Sequence, residues 1–122
     1  MKDIYIGVPE KKGWKMSPQE FAKTLTQRWP GAELTWDHDP QNPVAFWFSL
    51  PGSHGEVSGT FHKSGDFLAF DWTDVRDIGP LAVWFRSLVP SEQPLLLCSG
   101  SGVGYSDLLP TDTAEEIARR FD

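Results

Sequence analysis

The chain has 122 residues, of which 39% are hydrophobic, 13% aromatic and 23% charged, with a net charge of −6. That length suits one domain, and the composition excludes a disordered, collagenous or membrane-spanning chain. The charge is lopsided: residues 1–63 carry seven bases and seven acids, residues 64–122 four bases and ten acids. Such a surface repels phosphate backbones and acidic lipid and attracts basic partners.

Ile4, Ile6 and Val8 alternate, so residues 3–8 read as a first strand. A polar loop leads to Ser17-Pro18-Gln19-Glu20, a helix start in which Ser17 caps, Pro18 suits the first turn and Glu20 completes a capping box. Phe21, Ala22, Leu25 and Trp29 share one face of that helix, and Pro30-Gly31 ends it.

Ala32, Leu34 and Trp36 alternate with Glu33, Thr35 and Asp37, the pattern of a half-buried strand. Residues 39–43 are turn chemistry. Val44 to Leu50 is nearly all apolar, with Phe46, Phe48 and Leu50 on one side and Ala45, Trp47 and Ser49 on the other. Such a run predicts a central strand covered on both faces. Glu56 to Lys63 alternates again, a tight hairpin follows at Lys63-Ser64-Gly65-Asp66, and Phe67 to Trp72 forms the next strand.

With Asp77 as N-cap, Pro80 falls in the first turn of a second helix whose buried stripe is Ile78, Leu81, Phe85 and Leu88. Pro94 to Cys98 reads as one more strand, and Ser99 to Pro110 as a glycine-rich loop. Thr113-Ala114-Glu115-Glu116 is a second capping box opening a short final helix. The predicted order is β-α-β-β-β-β-α-β-α. It describes a single α+β domain over residues 1–122, with a mainly antiparallel sheet of about five to six strands.

Motifs for chemistry are weak. The lone Cys98 sits in an apolar run, excludes an internal disulfide and suits a reducing, cytoplasmic setting. No signal peptide or membrane-length apolar stretch is visible. In a strand, Asp37, His38 and Asp39 would point to alternate faces, so they do not converge on a metal. Gly100-Ser101-Gly102-Val103-Gly104 has no helix close behind it to hold a phosphate, and no Lys or Arg lies between Arg86 and Arg119. Ser99 and Ser101 lie outside any nucleophile elbow. No catalytic residue, metal or cofactor is expected. Lys11, Lys12, Trp14 and Lys15 form too short a cluster for a nucleic-acid groove.

What remains is a run of acids and aromatics. Asp66, Asp71, Trp72, Asp74 and Asp77 fall in or beside one strand and a helix entry, with Trp84 on that helix. Tryptophan anchors with a charged rim suit a protein interface, and acids speed encounter with a basic partner. These six are the candidate partner-binding residues. The alternatives are a small-ligand or regulatory module with an aromatic pocket, or an uncharacterised enzyme.

The closing segment runs from Leu95-Leu96-Leu97-Cys98 to Asp107-Leu108-Leu109-Pro110-Thr111-Asp112-Thr113-Ala114-Glu115-Glu116-Ile117. It resembles an ending that recurs among immunity proteins of bacterial polymorphic and contact-dependent toxin systems. There, a strand leads through a polar loop to a proline, a threonine and an Ala-Glu-Glu-Ile helix. The small, acidic, tryptophan-rich α+β chain is similar to them as well. The resemblance implies a cytosolic protein that binds a toxin's catalytic domain and blocks it. The charge and composition add the expectation of a non-enzymatic monomer or weak dimer with neither nucleic acid nor membrane as its partner.

Overall fold

A computed structural model of the protein describes residues 4–9, 13–71, 73–99 and 104–120. The elements are β1 (Ile4–Gly7), α1 (Pro18–Arg28), β2 (Glu33–Trp36), β3 (Val44–Pro51), β4 (Glu56–His62), β5 (Phe67–Asp71), α2 (Val75–Leu88), β6 (Leu96–Ser99), β7 (Gly104–Asp107) and α3 (Ala114–Arg119). The fold is α+β, with one seven-stranded antiparallel sheet in the order β2-β3-β4-β5-β1-β6-β7.

The connections explain that order. Helix α1 carries the chain from β1 to the far edge, and short turns bring β2 to β5 back as a meander. β5 then lies against β1, and α2 carries the chain across to β6 on the other side of β1.

Alternation selects the core. Opposed residues of antiparallel strands point to the same side. The register therefore aligns Leu34, Phe48 and Gly59 with Phe70 and Ile4, and Trp36, Phe46 and Phe61 with Leu68, Ile6 and Leu97. Helices α1 and α2 cover this face, and α3 packs beside α2. Phe21 of α1 stacks on Phe61 at 4.1 Å between ring centroids and meets Phe85 of α2 edge-on at 5.7 Å. Each such ring pair adds roughly 0.5–1.5 kcal/mol beyond area burial.

Gly59 is a point of close approach. A Cβ there would come within 2.1 Å of the Ala69 carbonyl and within 2.8 Å of the Phe48 ring. Gly65, at φ +78°, makes the β4–β5 turn, where L side chains rarely sit.

The helix ends follow their local chemistry. Ser17 accepts from the Glu20 amide at 3.1 Å, and Thr113 accepts from the Glu116 amide at 3.2 Å while its hydroxyl donates to the Glu116 carboxylate. Arg86, in the last turn of α2, is buried. Its guanidinium donates to the carbonyls of Val89, Pro90, Ser91 and Gln93, which ties the following loop to the helix end. Burial pulls its pKa below the ordinary guanidinium value.

Three expectations change. Helix α2 starts one turn early: Asp74 is its N-cap, accepting from the Arg76 amide at 2.9 Å, and Pro80 is therefore an interior residue. The Arg76 carbonyl thus loses the N–H it would meet four residues on. The loop expected over Ser99 to Pro110 contains β7, a short edge strand paired with β6. β3 is covered on one face only, and Trp47 is 40% exposed.

Candidate interaction surface

Among the described residues, no helix covers the second face of the sheet. Across it the register lines up Thr35, Trp47, Thr60, Ala69, Tyr5 and Cys98, one residue from each of six strands. Trp47 is exposed and Tyr5 and Cys98 are half-buried, while the small Thr60 and Ala69 are shielded between larger neighbours. Phe67 lies beside the row, its ring 5.4 Å from Tyr5 and 4.5 Å from His62. The centre of the face is therefore aromatic and small-polar.

Its perimeter is acidic. Glu33 on β2, Glu56 on β4, Asp71 on β5 and Asp107 on β7 share this side of the register. The Ser49 hydroxyl donates to the Glu56 carboxylate across the β3–β4 pair. None of the seven strands contains a Lys or Arg; the described bases stand on helices and in loops. An edge strand is commonly guarded by a lysine, whereas the edges here carry Glu33 and Asp107. Burial raises the Cys98 thiol above its ordinary pKa, so it is a weak nucleophile on this face.

The five described residues of the six singled out from the sequence do not form one patch. Asp66 and Asp71 flank β5 at opposite ends, about 17 Å apart along an extended strand. Asp71 stands on the open face; Asp66 is in the hairpin turn, where it accepts from the Ser64 hydroxyl at 2.6 Å. Trp72 lies outside the described residues. Asp74 caps α2 and is ion-paired with Arg76 at 2.7 Å. The Arg76 hydrogen bonds hold its carboxyl far below the usual carboxylate range.

Asp77 is a correction. It is buried rather than offered to a partner, and it accepts from the Ser53 amide (3.1 Å), the His54 amide (2.8 Å) and His54 Nδ1 (3.0 Å). A carboxylate in the first turn of a helix is aimed at nearby donors, and the β3–β4 turn supplies them. Trp84 is half-buried, packed edge-on against Trp29 at 5.0 Å and tilted on Phe21 at 5.7 Å. It closes the α1–α2 contact.

The His54–Asp77 pair has the geometry of an oriented imidazole, half of a nucleophilic triad. The other half, a hydroxyl or thiol hydrogen-bonded to the far ring nitrogen, is not found among the described residues. Asp37 is turned into its own loop: it accepts from the Asp39 amide at 2.7 Å and from Asn42 Nδ2. The Asp39 amide holds its pKa low. Among the described residues, no three His, Cys, Asp or Glu side chains group to hold a metal ion. No described helix is long and apolar enough to cross a membrane.

Sequence reasoning missed Trp47, Tyr5 and Phe67 as surface groups. The signal was present in β3, where Trp47 alternates against Phe46 and Phe48. Which side the helices would cover was the missing fact. No family model, curated protein or solved structure matches the chain.

Proposed function

We propose that the protein is a non-enzymatic binder that docks a basic partner protein on the open sheet face. The supporting observation is the exposed Trp47, on the same sheet face as Tyr5 and Phe67, in a sheet whose strands hold carboxylates and no Lys or Arg. Tryptophan and tyrosine supply contact area at low entropic cost, and the carboxylate perimeter steers a cationic surface toward them. The same charge disfavours a second copy, because a two-fold pairing of this face would set acids against acids.

Together with the resemblance of residues 95–117, this favours a cytosolic immunity protein whose partner is a cognate toxin domain. A toxin that cleaves nucleic acid is basic where it holds phosphates. Carboxylates around an aromatic centre would occupy that site in the phosphates' place, so the mechanism is occlusion.

The test is titration against the toxic domain encoded beside the protein, reading both affinity and toxin activity. Binding should weaken steeply with salt, and Trp47→Ala should weaken it by about tenfold or more. Absence of binding at micromolar concentration, or a Trp47→Ala variant that binds and protects as well as the parent, would remove the proposal.

A further inference from the structure

On the helix-bearing side, the C-terminal end of α1, the β3–β4 turn and the start of α2 enclose a cleft of about 340 Å³. That is at the lower end of the range for small-molecule sites, roughly 300–1,000 Å³. Three features make it more than a surface dent. Its floor is apolar: Leu50, Val57 and Leu81 are all buried in the core and reach its base. One wall carries the Arg28 guanidinium, 4.6 Å above the Trp29 ring centroid and ion-paired to no described carboxylate. A cation over indole is held by the ring's negative face and keeps its N–H donors for a carboxylate.

Asp77 lines the same cleft. Its three N–H donors come from the β3–β4 turn and hold the turn in place, so the cleft is formed before any ligand arrives. A carboxylate accepts at about four positions, so one remains, on Oδ2, where the structure gives a single donor. A free cation and a buried carboxylate in one small cleft discriminate between ligand charges. A dianionic phosphate gains from Arg28 and is repelled by Asp77. A zwitterion satisfies both.

We infer that this cleft binds a free α-amino acid with an aliphatic side chain: its carboxylate on Arg28, its ammonium on Asp77, its side chain on the Leu50–Val57–Leu81 floor. The site is separate from the open sheet face and does not depend on what docks there.

The experiment is a titration of the whole chain, followed by amide and indole NMR shifts, with leucine, leucinamide, N-acetylleucine and inorganic phosphate as probes. Leucine should give saturable shifts at the Ser53 and His54 amides and at the Trp29 indole. Leucinamide lacks the carboxylate and N-acetylleucine the ammonium, so each should bind about tenfold more weakly or worse. Arg28→Gln, at an exposed position, should weaken leucine by a similar factor without moving the melting temperature. Trp47→Ala should leave leucine binding unchanged, which separates this result from docking on the sheet. Equal affinity for all three leucine derivatives would overturn the inference. So would preference for phosphate, indifference to Arg28→Gln, or no saturable shift up to millimolar leucine.

Discussion

The two faces of the sheet are built from the same strands and obey different rules. Phe46 and Trp47 are chain neighbours in β3, yet Phe46 is fully enclosed by α1 and β4 while Trp47 is 40% exposed. The covered face is determined by burial: apart from Gly59 and the exposed Trp36 on the edge strand β2, its residues are large, apolar and interlocked. The open face is under no such demand. Trp47 stands there among carboxylates and half-buried aromatics, a composition that suits a protein partner, and that contrast is the basis for proposing the binding role for the open side.

The largest expected effect tests the covered side. Phe46→Ala removes a ring that contacts Phe21, Phe61 and Trp36, and should cost about 3–5 kcal/mol in urea denaturation. Trp47→Ala, one residue on, should cost less than about 1 kcal/mol. Comparable losses at the two positions would mean that the open face is covered in solution, and the comparison would fail.

Next comes the turn that joins β3 to β4. Asp77→Ala leaves the Ser53 and His54 amides without their acceptor. A destabilisation of about 2–4 kcal/mol is expected, from the orphaned donors together with the loosened turn. Amide hydrogen exchange should show the loss first at Ser53 and His54. Protection unchanged at both amides would mean that the turn is held by its backbone alone.

A smaller effect belongs to the helix starts. Thr113→Ala removes the acceptor for the Glu116 amide, and should lower stability by about 1 kcal/mol, read from the thermal midpoint. Since α3 packs on α2, which lies on the covered side, binding on the open face should be unaffected. A Thr113→Ala variant that loses the partner while remaining folded would place α3 in the interface.

The sequence made much of this legible, and the limits have physical causes. Strand and helix periods were clear wherever one side of an element is buried: β3 to β5, α1 and the capping box of α3 follow directly from alternation, spacing and turn residues. β7 was not legible because Gly104–Asp107 is a short edge strand with no alternating apolar pattern, held by pairing to β6. The start of α2 is not legible because Pro80 favours a cap close before it, at Asp77, whereas the structure caps at Asp74. The turn beside β4 decides it by drawing Asp77 inward.

The residues of the candidate surface were not legible in the sequence. Acids and tryptophans signalled an interface, but five of the six chosen residues lie close together in sequence, and an extended strand carries such neighbours apart. Trp47, Tyr5 and Glu33 share one face only through pairing of distant strands. One sequence does not reveal that pairing.

The smallest expected effect is one of pH, and it lies at the margin of the open face. His62 is the one basic side chain in the seven strands. Burial holds its imidazole below the ordinary value of 6.5, with the nearby Asp66 charge working the other way. The unfolded chain therefore takes up this proton at a higher pH than the folded one. The stability that the neutral ring contributes is complete above 6.5; it is lost as the pH falls through that value toward the lowered folded one. Between about pH 7.5 and pH 5 the thermal midpoint of the parent should fall further than that of His62→Gln. Equal slopes would mean that the ring is as wet in the fold as out of it. Over the same interval, protonation places a cation on a sheet that otherwise has none, so affinity for a basic partner should decline in the parent more than in the variant. A decline of the same size in both would assign the pH dependence to the carboxylates of the perimeter or to the partner, and leave His62 a packing residue for Phe67.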